Sequence, residues 1–229
     1  MKTIGLLGGM SWESTVTYYT RINELTNQKL GRLHSAKIKL ISVDFEEIER
    51  CQAMNQWEKS GEILGKEAQL LEQAGADFLL ICTNTMHKVV PQISEYISIP
   101  ILHIADATIT ELQKKHVKKV MLLGTRYTMT QQFYKQKIME SGIDVWIPSE
   151  DNIEKINQII FEELCQGIIS TASKEFFIEV IKGAMDGGVE GVILGCTEIG
   201  LLIQQTDLCI PVFDTTEIHA RQAVEFSLE

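Results

Sequence analysis

Residues 75–84, GADFLLICTN, and residues 188–197, GVEGVILGCT, share one pattern at a spacing of 113 positions. Each segment begins with glycine, continues as an apolar run of strand length and ends in small polar residues. Short apolar runs between turn residues are typical of strands that are buried on both faces of a parallel sheet. The pair therefore predicts two equivalent strands, each with polar side chains at its carboxyl end.

Two further pairs of segments recur in the same order. Residues 4–8, IGLLG, match residues 120–124, VMLLG, at a spacing of 116 positions. Residues 99–101, IPI, match residues 210–212, IPV, at a spacing of 111 positions. Three ordered matches at nearly one spacing indicate an internal repeat, in which the chain forms two similar units.

Short apolar runs alternate with longer amphipathic stretches along the chain. The predicted strands are 3–7, 37–42, 78–82, 101–104, 119–123, 191–195 and 212–213. The predicted helices are 12–28, 56–74, 105–116, 130–141, 153–165, 173–187 and 216–226. Strands separated by helices of this length are typical of parallel βαβ units.

The expected fold class is α/β, with two similar Rossmann-like lobes that have parallel sheets and are related by a pseudo-twofold axis. The first lobe is expected to comprise residues 1–104 plus 214–229, and the second lobe residues 105–213. Ligands of open α/β sheets bind beyond the carboxyl ends of the strands. We therefore expect the active site in the interlobe cleft, where equivalent residues reach opposite sides of one bound molecule.

The composition is that of a globular protein, with 45 % hydrophobic and 23 % charged residues among 229. The net charge of −10 argues against nucleic acid and anionic membranes as partners, but local dipoles can still attract an anionic substrate. No apolar stretch approaches the roughly 18 residues that span a bilayer. The N-terminal residues 1–9 predict a strand and a turn rather than a targeting segment, so the expected location is the cytoplasm.

The cysteines suggest one functional thiol. The five are Cys51, Cys82, Cys165, Cys196 and Cys209. Their odd number and the lack of a CxxC pair predict neither a disulfide framework nor a metal site. Side chains alternate along a strand, so Cys82 is expected to point into its lobe while Thr83 reaches the cleft. Cys196 is the counterpart of Thr83 in the repeat, and a following helix N-terminus is expected to lower the pKa of its thiol.

Small polar residues follow several predicted strands. Side-chain oxygens at such turns cap helices, and with exposed backbone N–H groups they bind carboxylates. The turns are residues 8–11, 83–87, 124–128 and 196–198. Of the histidines, His34 and His116 are expected at the surface and His103 and His219 in the core, while His87 either touches the cleft or has a structural role.

Four of these segments resemble motifs of the aspartate/glutamate racemase family. They are residues 5–11 (GLLGGMS), 84–87 (NTMH), 124–128 (GTRYT) and 194–198 (LGCTE). The similarity extends over nearly the whole chain. The resemblance implies two facing α/β lobes, catalysis without pyridoxal phosphate, another cofactor or a metal, and two cysteines that remove and return the α-proton from opposite faces.

The resemblance also implies roles for individual residues. The catalytic positions are Cys196 and Thr83. The substrate-binding positions are Met10, Gln52, Asn84, Thr85, Thr125, Thr128, Thr197 and Glu198. The chain departs from the family pattern at Thr83, which stands in place of the first catalytic cysteine. A threonine hydroxyl is not a free base near neutral pH, whereas a thiol of lowered pKa is.

The hypothesis is therefore an asymmetric racemase whose partner is a small amino-acid dicarboxylate. The thiolate of Cys196 removes the α-proton of an L-amino acid, and Thr83 protonates the opposite face, directly or through water. The reverse reaction from the D-amino acid is expected to be slow, because its base is missing. The alternatives are a decarboxylase or isomerase of the same fold with one cysteine, and a non-catalytic dicarboxylate sensor.

Three points stay open in the sequence. Aspartate and glutamate differ by one methylene, which discriminates weakly in binding energy. Arg50 either clamps a second carboxylate or lies on a solvated helix face. A homodimer is the expected assembly, since it is the commonest one among soluble proteins.

Overall fold

A computed structural model describes the whole chain, residues 1–229. It contains two sheets, one of three strands and one of four. Contacts within the chain divide it into a first unit, Met1–His103 with His219–Glu229, and a second unit, Ile104–Ile218. The sequence predicts the two boundaries after residues 104 and 213. In the structure the first boundary follows His103, and the second follows Ile218, inside the last helix.

The first unit is built on a parallel sheet of three strands. The strands are β1 (Ile4–Gly8), β2 (Ile38–Ser42) and β3 (Phe78–Ile81), in the order β2-β1-β3. Its helices are α1 (Trp12–Leu30), α2 (Phe45–Ala53), α3 (Trp57–Gln73) and α4 (Val90–Ile93), with a 3-10 helix at Thr85–Val89. Every residue of β1 and β3 is buried, which explains why both strands are continuous apolar runs.

The second unit is built on a parallel sheet of four strands. The strands are β4 (Lys119–Gly124), β5 (Asp144–Trp146), β6 (Gly191–Gly195) and β7 (Val212–Asp214), in the order β5-β4-β6-β7. Its helices are α5 (Ile104–Lys114), α6 (Arg126–Thr130), α7 (Gln132–Glu140), α8 (Glu150–Glu162), α9 (Thr171–Met185) and α10 (Ile199–Leu202), and α11 (Thr215–Leu228) begins in it. Two further 3-10 helices are Leu164–Gln166 and Gln205–Asp207.

The core of the second unit lies on both faces of its sheet. Along β4, Val120 and Leu122 pack into one buried cluster, together with side chains of α5 and α7. Met121 and Leu123 pack into the other cluster, with side chains of α8 and α9. Successive side chains of a strand point to opposite faces, so one apolar strand supplies both clusters.

The two sheets repeat one arrangement, and the predicted α/β fold with two parallel sheets is confirmed. β1 lies between β2 and β3, and β4 lies between β5 and β6. Ile101 adds a parallel bridge to Leu79 at the edge of the first sheet, and Val212 of β7 pairs with Val192 in the second. In the sequence repeat, Leu79 corresponds to Val192 and Ile101 to Val212, so the two pairs are equivalent.

The predicted strand 101–104 does not form. Ile101 alone makes a bridge, and Ile104 already begins α5. Two hydrogen bonds complete the pairing with Leu79, one from its amide to the carbonyl of Pro100 and one from the amide of Leu102 to its carbonyl. The chain then turns into α5, so there is no further strand partner for the ladder.

The sequence predicts most of the longer elements to within three residues but does not predict α2, α4, α6, α10, β5 or the 3-10 helices. For α2 the reason is its acidic start, residues 44–47, which looks like a polar turn. The carboxylate of Asp44 accepts a hydrogen bond from the amide of Glu46 at 3.2 Å and caps the helix. Acidic side chains in the first turn favour a helix N-terminus, so the same residues start a helix.

None of the helices combines the length and the hydropathy that crossing a membrane requires.

Candidate active site

The turn after β6 presents Cys196, Thr197 and Glu198 at the carboxyl end of that strand. All three residues are buried, with Cys196 8 % and Glu198 3 % exposed. The amide of Ile199 donates to the carbonyl of Cys196 at 3.2 Å, which closes the turn before the four residues of α10. The thiol thus lies on a hydrogen-bonded turn and not at the start of a long helix.

One carboxylate oxygen of Glu198 accepts two hydrogen bonds. The Sγ of Cys196 donates to Oε2 at 2.9 Å, and the Oγ1 of Thr197 donates to the same oxygen at 2.6 Å. Hydrogen bonds to an ionised acceptor are short and strong. The turn therefore joins a thiol, a hydroxyl and a carboxylate in one buried group.

The surroundings of Cys196 raise the pKa of its thiol well above the usual value. Burial is the largest cause, and the carboxylate of Glu198 and the thiol of Cys165 add to it. The expected lowering of this pKa by a helix N-terminus is wrong, because α10 is a single turn and a carboxylate lies next to the sulfur. The chain by itself favours the protonated thiol.

A second turn of the same unit holds Thr125 and Thr128. Thr125 caps α6 by accepting from the amide of Thr128 at 3.3 Å, and the two hydroxyl oxygens are 3.2 Å apart. Gly124 and Gly195 are direct partners across β4 and β6. A Cβ at Gly195 would lie 3.2 Å from Cγ2 of Thr128. The paired glycines therefore allow this threonine turn to lie beside the turn that carries Cys196.

In the first unit the turn after β3 presents Thr83, which is partly exposed. Cys82, one residue earlier, is fully buried in the core cluster with Ile4 and Tyr18. Its carbonyl accepts from the hydroxyl of Ser14 at 3.0 Å, and burial raises the pKa of its thiol far above the usual value. The predicted inward position of Cys82 is confirmed, so Thr83 is the side chain that this turn can offer to a ligand.

The other predicted residues of the first unit also lie in buried positions. Asn84 and Thr85 follow in the same turn and are 2 % and 6 % exposed. Gln52 of α2 is buried, and its Nε2 lies 3.0 Å from the sulfur of Met86. Met10 is buried in the loop after β1, the strand that pairs with β3. Whether these side chains contact a substrate stays a prediction.

The loop after β1 depends on glycine. Gly9 has a φ of +94°, and a Cβ there would lie 2.5 Å from the backbone nitrogen of Val43. The amide of Gly9 donates to the hydroxyl of Thr15 at 2.8 Å. Only glycine adopts this conformation at such a close approach without strain.

A group of three histidines packs against the Thr83 turn, and we call it the histidine cluster: His87, His103 and His219. The ring centroids of His87 and His103 are 4.6 Å apart, and those of His87 and His219 are 5.7 Å apart. Nδ1 of His87 lies 2.8 Å from the carbonyl oxygen of Thr83. His87 therefore has the structural role that was one of its two expected roles. The sequence contains no signal for the cluster, because its members come from three separate parts of the chain.

Arg50 lies on the exposed face of α2. Its guanidinium contacts the carboxylate of Glu46 at 3.5 Å, and 63 % of its side chain is exposed. The structure thus favours the solvated helix face over a carboxylate clamp.

The two turns differ in the chemistry that they offer. The second unit presents a thiol that is hydrogen-bonded to a carboxylate, which is a pair able to accept and return a proton. The first unit presents the hydroxyl of Thr83 at the equivalent position. No group of three or more His, Cys, Asp or Glu side chains in residues 1–229 is arranged to hold a metal ion.

Comparison with known proteins places this chain among racemases. The family model described as Asp/Glu/Hydantoin racemase matches residues 7–223. The solved structure of a candidate Asp/Glu racemase from Yersinia pestis is 49 % identical over 100 % of both chains, with a TM-score of 0.93. An aspartate racemase homologue from Pyrococcus horikoshii OT3 is 38 % identical over 100 % of both chains, with a TM-score of 0.88.

A curated relative has a broader description. The broad specificity amino-acid racemase RacX of Bacillus subtilis is 26 % identical over 161 residues, which cover 67 % of this chain and 66 % of that protein. The chain thus matches slightly less than two thirds of this relative's length. The family match itself extends over nearly all of the chain. The protein therefore belongs to the Asp/Glu/hydantoin racemase family.

Proposed function

We propose that the protein is a cofactor-independent racemase of aspartate or glutamate in which Cys196 is the one working base. The thiolate of Cys196 removes the α-proton of the L-enantiomer, and Thr83, directly or through water, protonates the opposite face of the carbanion. The proposal requires that both residues act on one substrate. We also propose that the protein is a homodimer and that it is located in the cytoplasm.

The observation that carries the proposal is the thiol–carboxylate pair at the end of β6. Cys196 donates to Glu198 at 2.9 Å on a turn that lies within residues 7–223, the segment that the family model matches. Removal of the α-proton requires the thiolate, and because burial raises the pKa of this thiol, Cys196 depends on a neighbouring group to become a base. Family membership supports racemisation as the reaction, and the finer choice of an aspartate or glutamate substrate is part of the proposal.

The polar turns supply groups that suit a dicarboxylate. Hydroxyls and backbone N–H groups at strand ends bind carboxylates well. We assign this role to Asn84 and Thr85 in the first unit and to Thr125 and Thr128 in the second, with Met10, Gln52 and Thr197 beside them. The net charge of −10 does not oppose such binding, since these groups act at short range.

The proposed asymmetry concerns rates and leaves the equilibrium unchanged. Enantiomers have equal free energies, so inversion must have the same kcat/KM in both directions. A Cys196 thiolate can also exchange the α-proton of an L-substrate with solvent and return a proton to the same face. A D-substrate has no equivalent base at Thr83, so its exchange is limited by the slow inversion.

The test follows α-proton exchange in heavy water by NMR for L-aspartate and L-glutamate. The wild-type chain is expected to exchange one or both of these substrates, and Cys196→Ser is expected to lose about 100-fold or more of that rate. Cys209→Ser removes an exposed thiol and serves as the matched control. Equal activity of Cys196→Ser and Cys209→Ser would remove Cys196 from the mechanism.

The single thiol also favours a second candidate, a decarboxylase of the same fold. Such an enzyme needs one group to protonate one face after the loss of CO2, and Cys196 can fill that role without a partner at Thr83. Release of CO2 from a substituted malonate, with no exchange from any amino acid, would support it. A non-catalytic sensor would instead keep ligand-induced thermal stabilisation in Cys196→Ala.

A further inference from the structure

Glu198 has an arrangement that differs from the substrate-binding role implied for it. Its side chain is 3 % exposed, and its Oε2 receives both the Cys196 thiol at 2.9 Å and the Thr197 hydroxyl at 2.6 Å. An oxygen that accepts two hydrogen bonds holds no proton of its own in that geometry. The proton between Glu198 and Cys196 therefore rests on the sulfur.

This arrangement also makes Glu198 a poor contact for a substrate carboxylate. An ionised carboxylate repels a second one at short range, and the repulsion is strong in a buried site. The Oε2 oxygen is already directed at two side chains of its own turn. A role toward Cys196 fits these contacts better than a role toward the acidic groups of a dicarboxylate.

Cys196 needs a proton acceptor if it is to act as a base. Burial, Glu198 and Cys165 all raise the pKa of its thiol, so a thiolate does not stand ready in the chain alone. The nearest acceptor is the carboxylate oxygen to which the thiol already donates. A proton that moves along this bond travels less than the 2.9 Å that separates the two atoms.

We propose that the Glu198 carboxylate is the group that takes the thiol proton of Cys196, so that the two residues act as one acid–base pair. This inference rests on the proposed racemase function. In the step itself the S–H bond breaks and an O–H bond forms on Oε2, which leaves a Cys196 thiolate and a neutral Glu198. The thiolate electron pair then takes the α-proton, and the electrons of the broken C–H bond remain on the substrate carbanion. After protonation of the carbanion by solvent through Thr83, Glu198 releases its proton to the solvent and the pair is restored.

Thr197 completes the pair as a positioning residue. Its hydroxyl donates to the same Oε2 and so fixes the oxygen that faces the sulfur.

The test replaces the carboxylate by an amide of the same shape. In Glu198→Gln, kcat for exchange of the L-substrate is expected to fall about 100-fold while KM changes by less than about threefold. Glu198→Asp keeps a carboxylate and is expected to recover most of the lost kcat. Glu175→Gln, an exposed position on α9, is the matched control for the same chemical change.

A second readout does not depend on activity. The rate of alkylation of Cys196 by iodoacetamide is measured from pH 6 to 10 by peptide mass spectrometry, with the exposed Cys209 as the internal reference. Loss of the neighbouring negative charge in Glu198→Gln is expected to move the midpoint for Cys196 to lower pH, so that alkylation becomes faster while exchange becomes slower. A role of Glu198 that does not involve its charge predicts an unchanged midpoint.

Two results would overturn the inference. One is a rise of KM with an unchanged kcat in Glu198→Gln, which would make Glu198 a substrate-binding residue. The other is an unchanged midpoint of alkylation in that variant. If the wild-type chain exchanges none of the amino acids, the proposed function fails, and the alkylation midpoints still decide whether the thiol and the carboxylate form a pair.

Discussion

At the residue scale, the two equivalent turns differ in the group that follows the strand, which is a hydroxyl at Thr83 and a thiol at Cys196. Thr83 and Cys196 occupy matching positions in the repeat, but only Cys196 has a carboxylate within hydrogen-bond distance among the contacts of its turn. Cys82 does not replace the missing thiol, because it is fully buried in the core of the first unit. The hydroxyl of Thr83 is therefore the feature that sets the expected difference between L- and D-substrates.

The substitution Thr83→Cys tests this difference. A thiol at that position supplies a group with a pKa much nearer the working pH than that of a hydroxyl, so exchange of the α-proton of the D-enantiomer is expected to rise about 100-fold. Heavy-water exchange measured by NMR gives the rate. Thr20→Cys, at an exposed position of α1, is the control for adding a thiol elsewhere. An unchanged D-substrate rate in Thr83→Cys would show that Thr83 does not limit this direction.

The sequence predicts which residues occupy the turns but not their contacts. The motif LGCTE identifies Cys196 and Glu198, yet their spacing of two positions does not say whether their side chains meet. The bond between them depends on the tight turn before α10, which pulls the carboxylate back toward the sulfur. Burial of the thiol and then this contact raise the pKa of Cys196, and neither is visible in the sequence, which predicts a lowered pKa instead.

At the element scale, glycines at the strand ends determine how closely the turns of the second unit approach each other. Gly124 pairs with Gly195 across β4 and β6. A Cβ at Gly195 would lie 2.8 Å from the carbonyl oxygen of Leu123 and 3.2 Å from Cγ2 of Thr128. A side chain here would push β6 away from the neighbouring strand and the threonine turn.

We expect Gly195→Ala to lower both stability and activity. The overpacking is expected to reduce the free energy of unfolding by about 1–3 kcal/mol, as measured by urea denaturation. Gly183→Ala is the matched control, because a Cβ there has no neighbour within 4 Å and the residue lies inside α9. The control is expected to gain about 0.5–1 kcal/mol, since alanine favours helices. Equal stabilities for the two variants would refute the packing argument.

The predictability of the elements depends on their length and their burial. β1 and β6 are continuous apolar runs, and they are predicted because both faces are covered. β5 has three residues and α6 five, too few to show a periodicity that distinguishes them from loops.

At the scale of the whole molecule, α11 brings distant parts of the chain into the first unit. His219 on α11 has a hydrogen bond of 2.8 Å between its Nδ1 and the hydroxyl of Tyr18, and its Nε2 lies 2.9 Å from the carbonyl oxygen of Leu102. A neutral ring satisfies both contacts, with a proton on Nε2. Burial and the neighbouring His87 lower the pKa of His219 to about 3, and burial and His103 lower that of His87 well below its usual value.

These shifts predict that the stability of the chain depends on pH. Histidines of the unfolded chain titrate near 6.5, so below that pH the unfolded state binds more protons than the folded one. Stability is therefore complete above about 6.5 and is lost as the pH falls from there toward about 3, by about 1.4 kcal/mol per pH unit for each such histidine. Urea denaturation at pH 7.5 and pH 5.0 measures the loss.

Matched variants assign this loss to the histidine cluster. His219→Gln removes one buried titrating ring, so the difference in stability between the two pH values is expected to shrink. His34→Gln changes an exposed histidine and is expected to leave that difference unchanged. An equal pH dependence in wild type and in His219→Gln would contradict the role given to His219.

The overall architecture is the feature that the sequence predicts best. Three ordered matches within the chain suffice for two similar parallel sheets, because a repeated apolar pattern forms a repeated core. The histidine cluster is not predictable in this way, because it unites residues 87, 103 and 219, whose proximity depends on tertiary packing.

The central claim is that Cys196 is the one working base, and one measurement tests it most directly. The purified chain is incubated in heavy water with L-aspartate, L-glutamate and their D-enantiomers, and NMR follows the loss of each α-proton signal. The account predicts exchange from an L-enantiomer that is about 100-fold faster than exchange from its D-enantiomer. Comparable exchange from both enantiomers would contradict it, because a second base would then have to serve the first unit.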